Sequence, residues 1–373
     1  MTKTVDKIPV NKTLKQTVFS LLLSLMVLPL GAAQTIAERP TPELLRIGAL
    51  LYERGECFSS RYLFQQVLER EPDNLDALSG KGKALVCEGE FGEGITTLEG
   101  VTATAPERAE AFVDLANAYL DQYESGPEIY RARLQDALEV LREAETKGAS
   151  SAAVSNLRGV VLYRQDKLVA ARAALLKATE QEPEVADYHN SLGLVQLELG
   201  DTEAAVATLR RAVSLEPDSA TARNQLGSAY LLLGRCEDAV FELEQATTLA
   251  PDQAAVNFNL GRARFECSEF EAARGSFEKV VALEPTAFAP AYTYLARLEL
   301  EARDFDRAVT QAAKATLFLK DAEAYYWLGE AYRARGGTAS DGSPDSSKAQ
   351  EAFERALEQD ATYAPAREAL QTP

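Results

Sequence analysis

Residues 186–219 read ADYHNSLGLVQLELGDTEAAVATLRRAVSLEPDS, and residues 220–253 read ATARNQLGSAYLLLGRCEDAVFELEQATTLAPDQ. The two adjacent segments have the same length and the same pattern of small and apolar residues. The shared positions lie 34 residues apart: Leu192-Gly193 and Leu226-Gly227, Ala205 and Ala239, Leu209 and Leu243, Ala212 and Ala246, Pro217 and Pro251. A 34-residue period is typical of stacked helix-turn-helix units.

The residue types at these positions favour two antiparallel helices in each unit. Small residues at Gly193 and Ala205 let two helices approach closely, and Leu209 continues the same apolar stripe at helical spacing. Gly200 suits the turn between the helices, and Pro217 ends the second helix. The pattern therefore predicts an all-α fold.

This pattern resembles the tetratricopeptide repeat family, in a form typical of exported bacterial proteins. The resemblance implies a right-handed α-solenoid of about nine helix-turn-helix repeats, which stack so that the first helices line a concave groove. We expect residues 34–40 to form a short N-terminal segment and residues 364–373 a short C-terminal cap. The expected repeats are 41–74, 75–108, 109–151, 152–185, 186–219, 220–253, 254–288, 289–321 and 322–363.

The N-terminus has the composition of a secretory signal. Four lysines, at positions 3, 7, 12 and 15, precede an apolar run from Val18 to Leu30, and the small residues Gly31-Ala32-Ala33 follow it. This order predicts a signal peptide, residues 1–33, that is cleaved after Ala33 and directs the chain to the periplasm or the medium. An uncleaved membrane anchor is the alternative, although the run is shorter than the roughly 20 residues of a spanning helix.

The charge of the chain excludes some classes of partner. The whole sequence carries a formal charge of −18, and removal of residues 1–33 would leave 35 basic and 56 acidic residues, or about −21. Such a negative field repels phosphate backbones and anionic lipids. We therefore expect a protein or peptide partner, no nucleic acid and no membrane insertion after signal cleavage.

The four cysteines form two similar pairs. Cys57 and Cys236 begin second helices, whereas Cys87 and Cys267 end the first helices of the units that follow. In a stacked array these helices are antiparallel neighbours, so we predict the disulfides Cys57–Cys87 and Cys236–Cys267 in an oxidising compartment. Four half-buried thiols are the alternative.

The sequence offers little support for catalysis or for a cofactor. His189 is the single histidine, and it occupies a first-helix position where the family often has a packed aromatic residue. A serine or cysteine mechanism would depend on this one residue, and no cysteine pair has the close spacing of a zinc site. Residues 89–94, GEFGEG, lack the Gly-Lys-Ser/Thr ending of a phosphate-binding loop. We therefore predict no enzyme activity, no cofactor and no metal.

Asparagines recur on the first helices that are expected to line the groove. Asn156, Asn190 and Asn224 are 34 residues apart, and Asn259 lies one register position later in the next unit. Primary amides can donate to and accept from the backbone of an extended peptide without reading its sequence. The row resembles the asparagine ladder of O-linked N-acetylglucosamine transferases. Polar residues on a solvated helix face are the alternative.

Two arginines provide a local positive charge at the groove. Arg262 and Arg297 share a register position in the seventh and eighth units and can bind a carboxylate on a partner. Glu266 and Glu301 follow them by four residues, so ion pairs within each helix are the expectation that we favour. In the ninth unit, Trp327 or the adjacent Tyr326 is a candidate exposed contact.

Two insertions and a short C-terminus complete the sequence. The third unit has about nine extra residues around 121–133 and the ninth about eight around 336–347. Residues 337–344, GTASDGSP, predict a mobile loop because they contain little that can be buried. We expect a scaffold that binds an extended peptide or a helix of a partner, or alternatively a structural subunit of an envelope assembly that self-associates through its thinly capped C-terminus.

Overall fold

The computed structural model describes residues 39–148, 151–339 and 341–371, so the predicted signal peptide lies outside the described residues. Within these ranges the chain forms nineteen α-helices. Their bounds are α1 Thr41–Glu53, α2 Cys57–Leu68, α3 Leu75–Cys87, α4 Phe91–Thr104, α5 Ala109–Ser125, α6 Arg133–Thr146, α7 Ala152–Arg164, α8 Leu168–Gln181, α9 Ala186–Glu198, α10 Thr202–Leu215, α11 Ala220–Leu232, α12 Cys236–Leu249, α13 Ala254–Glu266, α14 Phe270–Leu283, α15 Ala289–Glu301, α16 Phe305–Phe318, α17 Ala322–Arg335, α18 Asp345–Gln359 and α19 Ala364–Gln371.

The described part of the chain divides into two compact units, each made of several repeats: the first unit ends at Leu199 and the second begins at Gly200. In each unit the odd-numbered helices are first helices and the even-numbered helices are second helices of successive hairpins. First helices contact one another, as α1, α3 and α5 do in the first unit and α11 with α13 and α15 with α17 in the second. Within a unit, a second helix packs between its own first helix and the next one, as α2 does in the first unit and α12 in the second. The first helices therefore form an inner layer within each unit.

Small residues set the distance between the two helices of a hairpin. An added Cβ on Gly159 in α7 would lie 2.4 Å from Cγ of Leu175 in α8. Gly227 and Gly261 approach the next second helices as closely, against Leu243 and Phe277. The partner residues and the neighbouring alanines are fully buried: Ala171, Leu175, Ala239, Leu243, Ala273 and Phe277. The positions that give the sequence its period are thus the core positions.

The turn between the two helices needs a residue in the left-handed backbone conformation. Gly200 has φ 80°, as its sequence position predicts. Equivalent residues in other hairpins also have positive φ, and three of them are not glycine: Gly55, Gly89, Asp166, Gly234, Ser268 and Arg303. A side chain is strained in this conformation, so packing of the flanking helices holds the turn at those three positions.

The two ends of the insertion between α17 and α18 are held together by contacts that its composition does not predict. Asp345, which is fully buried at the start of α18, accepts hydrogen bonds from Arg335 (2.6 and 2.7 Å) and from the backbone N–H of Gly337 (2.8 Å). Thr338 also pairs with Pro344 in an isolated β-bridge. Because the guanidinium of Arg335 favours the ionised carboxylate, it lowers the pKa of Asp345. One buried ion pair therefore ties both ends of the loop together.

The last helix covers the end of the second unit. Ala366 and Ala369 of α19 are buried in a cluster with Phe353, whereas Leu370 keeps 37% of its surface exposed. In the part of the chain that the structure describes, every helix is too short or too polar to cross a membrane.

We predict that Gly159→Ala lowers the free energy of unfolding by about 1–3 kcal/mol, because the new methyl group overlaps Leu175 in a closed core. Gly100→Ala is the matched control in the same unit, because its Cβ would meet no atom within 4 Å. That substitution should be neutral or stabilise by up to about 1 kcal/mol. Urea denaturation followed by circular dichroism measures both. Equal effects of the two substitutions would contradict this packing.

Candidate functional site

The clearest candidate site lies on the inner layer of the second unit, around Arg297. This arginine is on α15, and its guanidinium carbon lies 4.4 Å from the ring centre of Phe265, 5.2 Å from Tyr294 and 5.0 Å from Trp327. Phe265 comes from α13 and Trp327 from α17, so three first helices meet here. The π faces of the rings attract the cation and fix its position without neutralising it.

A pair of amides lies in the preceding hairpins. Nδ2 of Asn259 donates to Oδ1 of Asn224 at 2.9 Å. The one-position shift between these residues in the sequence therefore does not separate their side chains, because α11 and α13 are in contact. Within the described residues, Nδ2 of Asn224 and Oδ1 of Asn259 have no hydrogen-bond partner.

Neither groove arginine forms the ion pair with a helix neighbour that we favoured from the sequence. In the described ranges, Arg262 has no ion pair with Glu266, and Arg297 has none with Glu301. For Arg297 the reason is geometric, because three aromatic rings hold its guanidinium group. The structure gives no comparable contact that explains the orientation of Arg262.

Further aromatic residues extend the ring cluster toward the C-terminus. Tyr326 contacts Trp327 edge to face at 5.2 Å and Tyr363 at 5.8 Å. Burial raises the pKa of Tyr363 to about 12, and the negative charge of Glu323 adds to the shift. Burial also raises the pKa of Tyr326, as does Glu330. Both phenols therefore remain neutral hydrogen-bond donors at physiological pH.

The two earlier asparagines lie on first helices of the other unit. Asn156 is on α7 and Asn190 on α9, and both side chains are half-buried. Each Oδ1 is buried and lacks a hydrogen-bond partner in the described structure. Such an acceptor gains free energy when a donor reaches it. His189, next to Asn190, is only half-buried, and its Nε2 lies 2.8 Å from the carbonyl of Pro183.

The cysteines lie where the stacking argument puts them. The Cα atoms of Cys57 and Cys87 are 6.0 Å apart, and those of Cys236 and Cys267 are 5.6 Å apart. Both separations are within the range that a disulfide spans. In the described part of the chain, no group of three His, Cys, Asp or Glu side chains could hold a metal ion.

Sequence reasoning missed the aromatic side of the site. Phe265 occupies the register position of Leu231 and Leu197 in the preceding hairpins, and Tyr294 that of Asn259. Comparing these positions between hairpins would have shown aromatic residues replacing smaller ones near Arg297. Tyr363 lies outside the helical register, so only the structure reveals its contact with Tyr326.

Comparison with known families identifies the fold. The family model described as tetratricopeptide repeat matches residues 128–186, 170–220, 190–254, 224–290 and 294–340, more than half of the chain. The chain belongs to the tetratricopeptide repeat family. Members of this family generally mediate protein–protein interactions and are generally not enzymes. Among curated proteins no match is found.

Solved structures share the fold of this tetratricopeptide repeat protein at low sequence identity. The Cut9-Hcn1 hetero-tetramer of the APC/C is similar with a TM-score of 0.60 and 18% identity over 77% of this chain and 55% of that chain. PilW, a type IV pilus biogenesis factor, is similar with a TM-score of 0.53 and 19% identity over 59% and 98%. A tetratricopeptide repeat protein from Parabacteroides merdae ATCC 43184 has a TM-score of 0.52 and 16% identity over 70% and 97%. These likenesses show the all-α repeat fold alone.

We predict that Arg297→Gln shifts the fluorescence of Trp327, the single tryptophan, because it removes a cation 5.0 Å from the indole. Loss of the cation–π contacts should also lower the free energy of unfolding by about 1 kcal/mol. Fluorescence spectra and urea denaturation measure the two effects. Arg262→Gln is the matched control, and it should leave the emission unchanged. An unchanged spectrum for Arg297→Gln would refute the cluster.

Proposed function

We propose that this protein is a non-enzymatic scaffold that binds an extended segment of a partner protein along the inner layer of its second unit. The main supporting observation is Arg297, a guanidinium held between three rings with no ion pair in the described structure. A neighbouring carboxylate would have neutralised it, whereas aromatic rings leave its N–H groups available to a ligand.

The neighbouring amides suit an extended peptide backbone. Nδ2 of Asn224 can donate to a peptide carbonyl, and Oδ1 of Asn259 can accept from a peptide N–H. Their mutual hydrogen bond fixes the orientation of both side chains before a ligand arrives, which reduces the entropy cost of binding. Asn156 and Asn190 offer unpartnered acceptors on the first unit in the same way.

Arg262 and Arg297 give this surface a preference for acidic segments. The chain has a formal charge of −18, and within its described residues these two arginines have no ion pair that neutralises them. Planar guanidinium groups bind carboxylates through two parallel hydrogen bonds. The rings of Phe265, Tyr294 and Trp327 can take an apolar side chain of the same peptide. The proposed ligand is therefore an acidic segment that also carries an apolar residue.

We predict that random peptides selected on the full chain are enriched in Asp and Glu and that they change the emission of Trp327 when they bind. Arg262→Gln together with Arg297→Gln should weaken the selected peptides at least about tenfold, because each lost charge-assisted hydrogen bond is worth roughly 1.5–3 kcal/mol. Asn224→Ala together with Asn259→Ala should weaken acidic and neutral peptides alike.

Arg210→Gln is the matched control for this experiment. Arg210 is an exposed arginine on the second helix α10, outside the inner layer. Its substitution removes the same charge from the chain and should leave peptide affinity unchanged. The proposal fails if the selected peptides bind the double arginine variant as tightly as they bind the parent, or if Arg210→Gln weakens them equally.

Self-association is the second candidate function, as a structural or assembly subunit of an envelope complex. The partial exposure of Leu370 on the last helix favours it, because an apolar side chain at the end of a repeat array can meet another copy. Light scattering over a range of protein concentrations separates the two functions. A mass that stays at one chain would exclude this candidate.

We also propose that the chain is exported by a signal peptide cleaved after Ala33 and that both cysteine pairs are disulfide-bonded. An oxidising compartment outside the cytoplasm permits disulfides, and the Cα separations of 6.0 and 5.6 Å suit them. Each bridge joins a second helix to the following hairpin, so it restrains the packing of two repeats.

We predict that the exported protein begins at Gln34 and contains no free thiol without reductant. Each bridge closes a loop of about 30 residues, so reduction should lower the free energy of unfolding by roughly 3.5 kcal/mol per bridge on the chain-entropy model. Mass spectrometry, thiol titration and thermal unfolding with and without reductant measure these quantities. Cys57→Ser with Cys87→Ser should reproduce half of the loss on reduction. Four reactive thiols in the unreduced protein would disprove the bridges.

A further inference from the structure

The inner layer of the first unit contains a pocket that the peptide surface of the second unit does not use. Its cavity volume is about 280 Å³, which suits one side chain more than a drug-sized molecule. We define the N-terminal pocket by the residues of α1, α3 and α5 that line it, chiefly Tyr52, Lys83, Val86, Asp114, Ala118 and Asp121.

The two carboxylates that line this pocket differ in whether they have a partner. Nζ of Lys83 lies 3.4 Å from Oδ1 of Asp114, and Oγ of Ser79 donates to Oδ2 of Asp114 at 2.5 Å. The ammonium of Lys83 also lies 5.6 Å from the ring centre of Tyr52. Asp114 and Lys83 are therefore paired. Within the described ranges, Asp121 has neither a hydrogen bond nor an ion pair.

The environment of Asp121 is short of positive charge. Although the side chain reaches the surface, loss of solvation in the pocket raises the pKa of Asp121 to about 6, and the charge of Glu124 adds to this shift. Glu124 itself pairs with Arg164 of α7 at 2.7 Å. Across the pocket, burial and then the charges of Asp121 and Asp114 raise the pKa of Tyr52. Burial is thus the main cause of both pKa shifts, and neighbouring carboxylates add to each of them.

The other residues that line the pocket indicate which kind of ligand fits it. The half-buried ring of Tyr52 and the nearly buried side chains of Val86 and Ala118 give the pocket a small apolar wall, and Asn117 adds an amide oxygen near Asp121 on α5. An aliphatic stem that ends in a cation matches this combination of surfaces. Lysine and arginine side chains have that form, whereas a metal ion would leave the apolar wall unused.

We propose that the N-terminal pocket binds a lysine or arginine side chain of the partner, with Asp121 as the counter-ion and Tyr52, Val86 and Ala118 beside the aliphatic stem. This inference rests on the proposed function, because the same partner segment would supply the side chain. It adds a basic residue to the acidic segment proposed for the second unit.

The test uses the full chain with labelled methyl groups and three small probes. Acetyl-arginine methylamide and the corresponding lysine compound carry the cation, and acetyl-citrulline methylamide is a neutral analogue of the arginine probe. Methyl resonances of Val86 and Ala118 report binding by their NMR chemical shifts. We expect the cationic probes to shift these resonances at about pH 7.5, and the citrulline probe to leave them in place.

Two variants and the pH dependence of binding show whether Asp121 is the group that binds the cation. Asp121→Asn should weaken the arginine probe at least about fivefold. Glu110→Gln, which removes an exposed carboxylate of the same helix outside the pocket, should leave affinity unchanged. Because Asp121 is ionised above its pKa of about 6, the wild-type affinity should fall about tenfold between pH 7.5 and 5. The Asp121→Asn variant should lose this pH dependence.

Several results would overturn the inference. They are equal shifts with citrulline, equal affinity of Asp121→Asn and the parent, or no shift with either cationic probe at its solubility limit. None of these measurements involves Arg262, Arg297 or a selected peptide. If the probes do not bind the N-terminal pocket, the proposed peptide surface of the second unit is unaffected. If the selected peptides do not bind that surface, the pocket can still be tested with the probes.

Discussion

The close contact between the two helices of each hairpin determines the rest of the structure. A small residue in each helix lets the backbones approach, and in many hairpins a buried leucine or phenylalanine fills the space beside them, as Gly261 and Phe277 show. Because each hairpin still has an apolar face after this contact, it must pack against the next hairpin. This packing places first helices side by side and gives each unit an inner layer.

Both candidate binding surfaces depend on that arrangement. Arg297 meets Phe265 and Trp327 only because α13, α15 and α17 follow one another in the inner layer, and the N-terminal pocket needs α1, α3 and α5 in the same way. Their electrostatics differ. In the second unit rings hold a cation that keeps its charge, whereas in the first unit Asp121 has no cationic partner among the described residues. On the proposed function, the two surfaces would therefore favour opposite charges on a partner.

The sequence predicts well what depends on the repeat period and poorly what depends on individual side chains. Helix pairing, the left-handed turn at Gly200 and the closeness of the cysteine pairs all follow from register, which the backbone enforces. The expected pair of Arg297 with Glu301 failed because rings from two other helices compete for the guanidinium. The polar composition of the loop after α17 gives no sign of the contact between Asp345 and Arg335 that joins its two ends. Contacts between hairpins, not local pattern, decide such cases.

Hydrogen exchange of the full chain, resolved along the sequence, tests most directly whether neighbouring hairpins stabilise one another. We expect the amides of α13 and α14 to open with the same free energy as those of α12 and α15, because no hairpin keeps its helices without the adjacent one. Exchange of residues 254–283 on its own, much faster than in the flanking helices, would contradict the account.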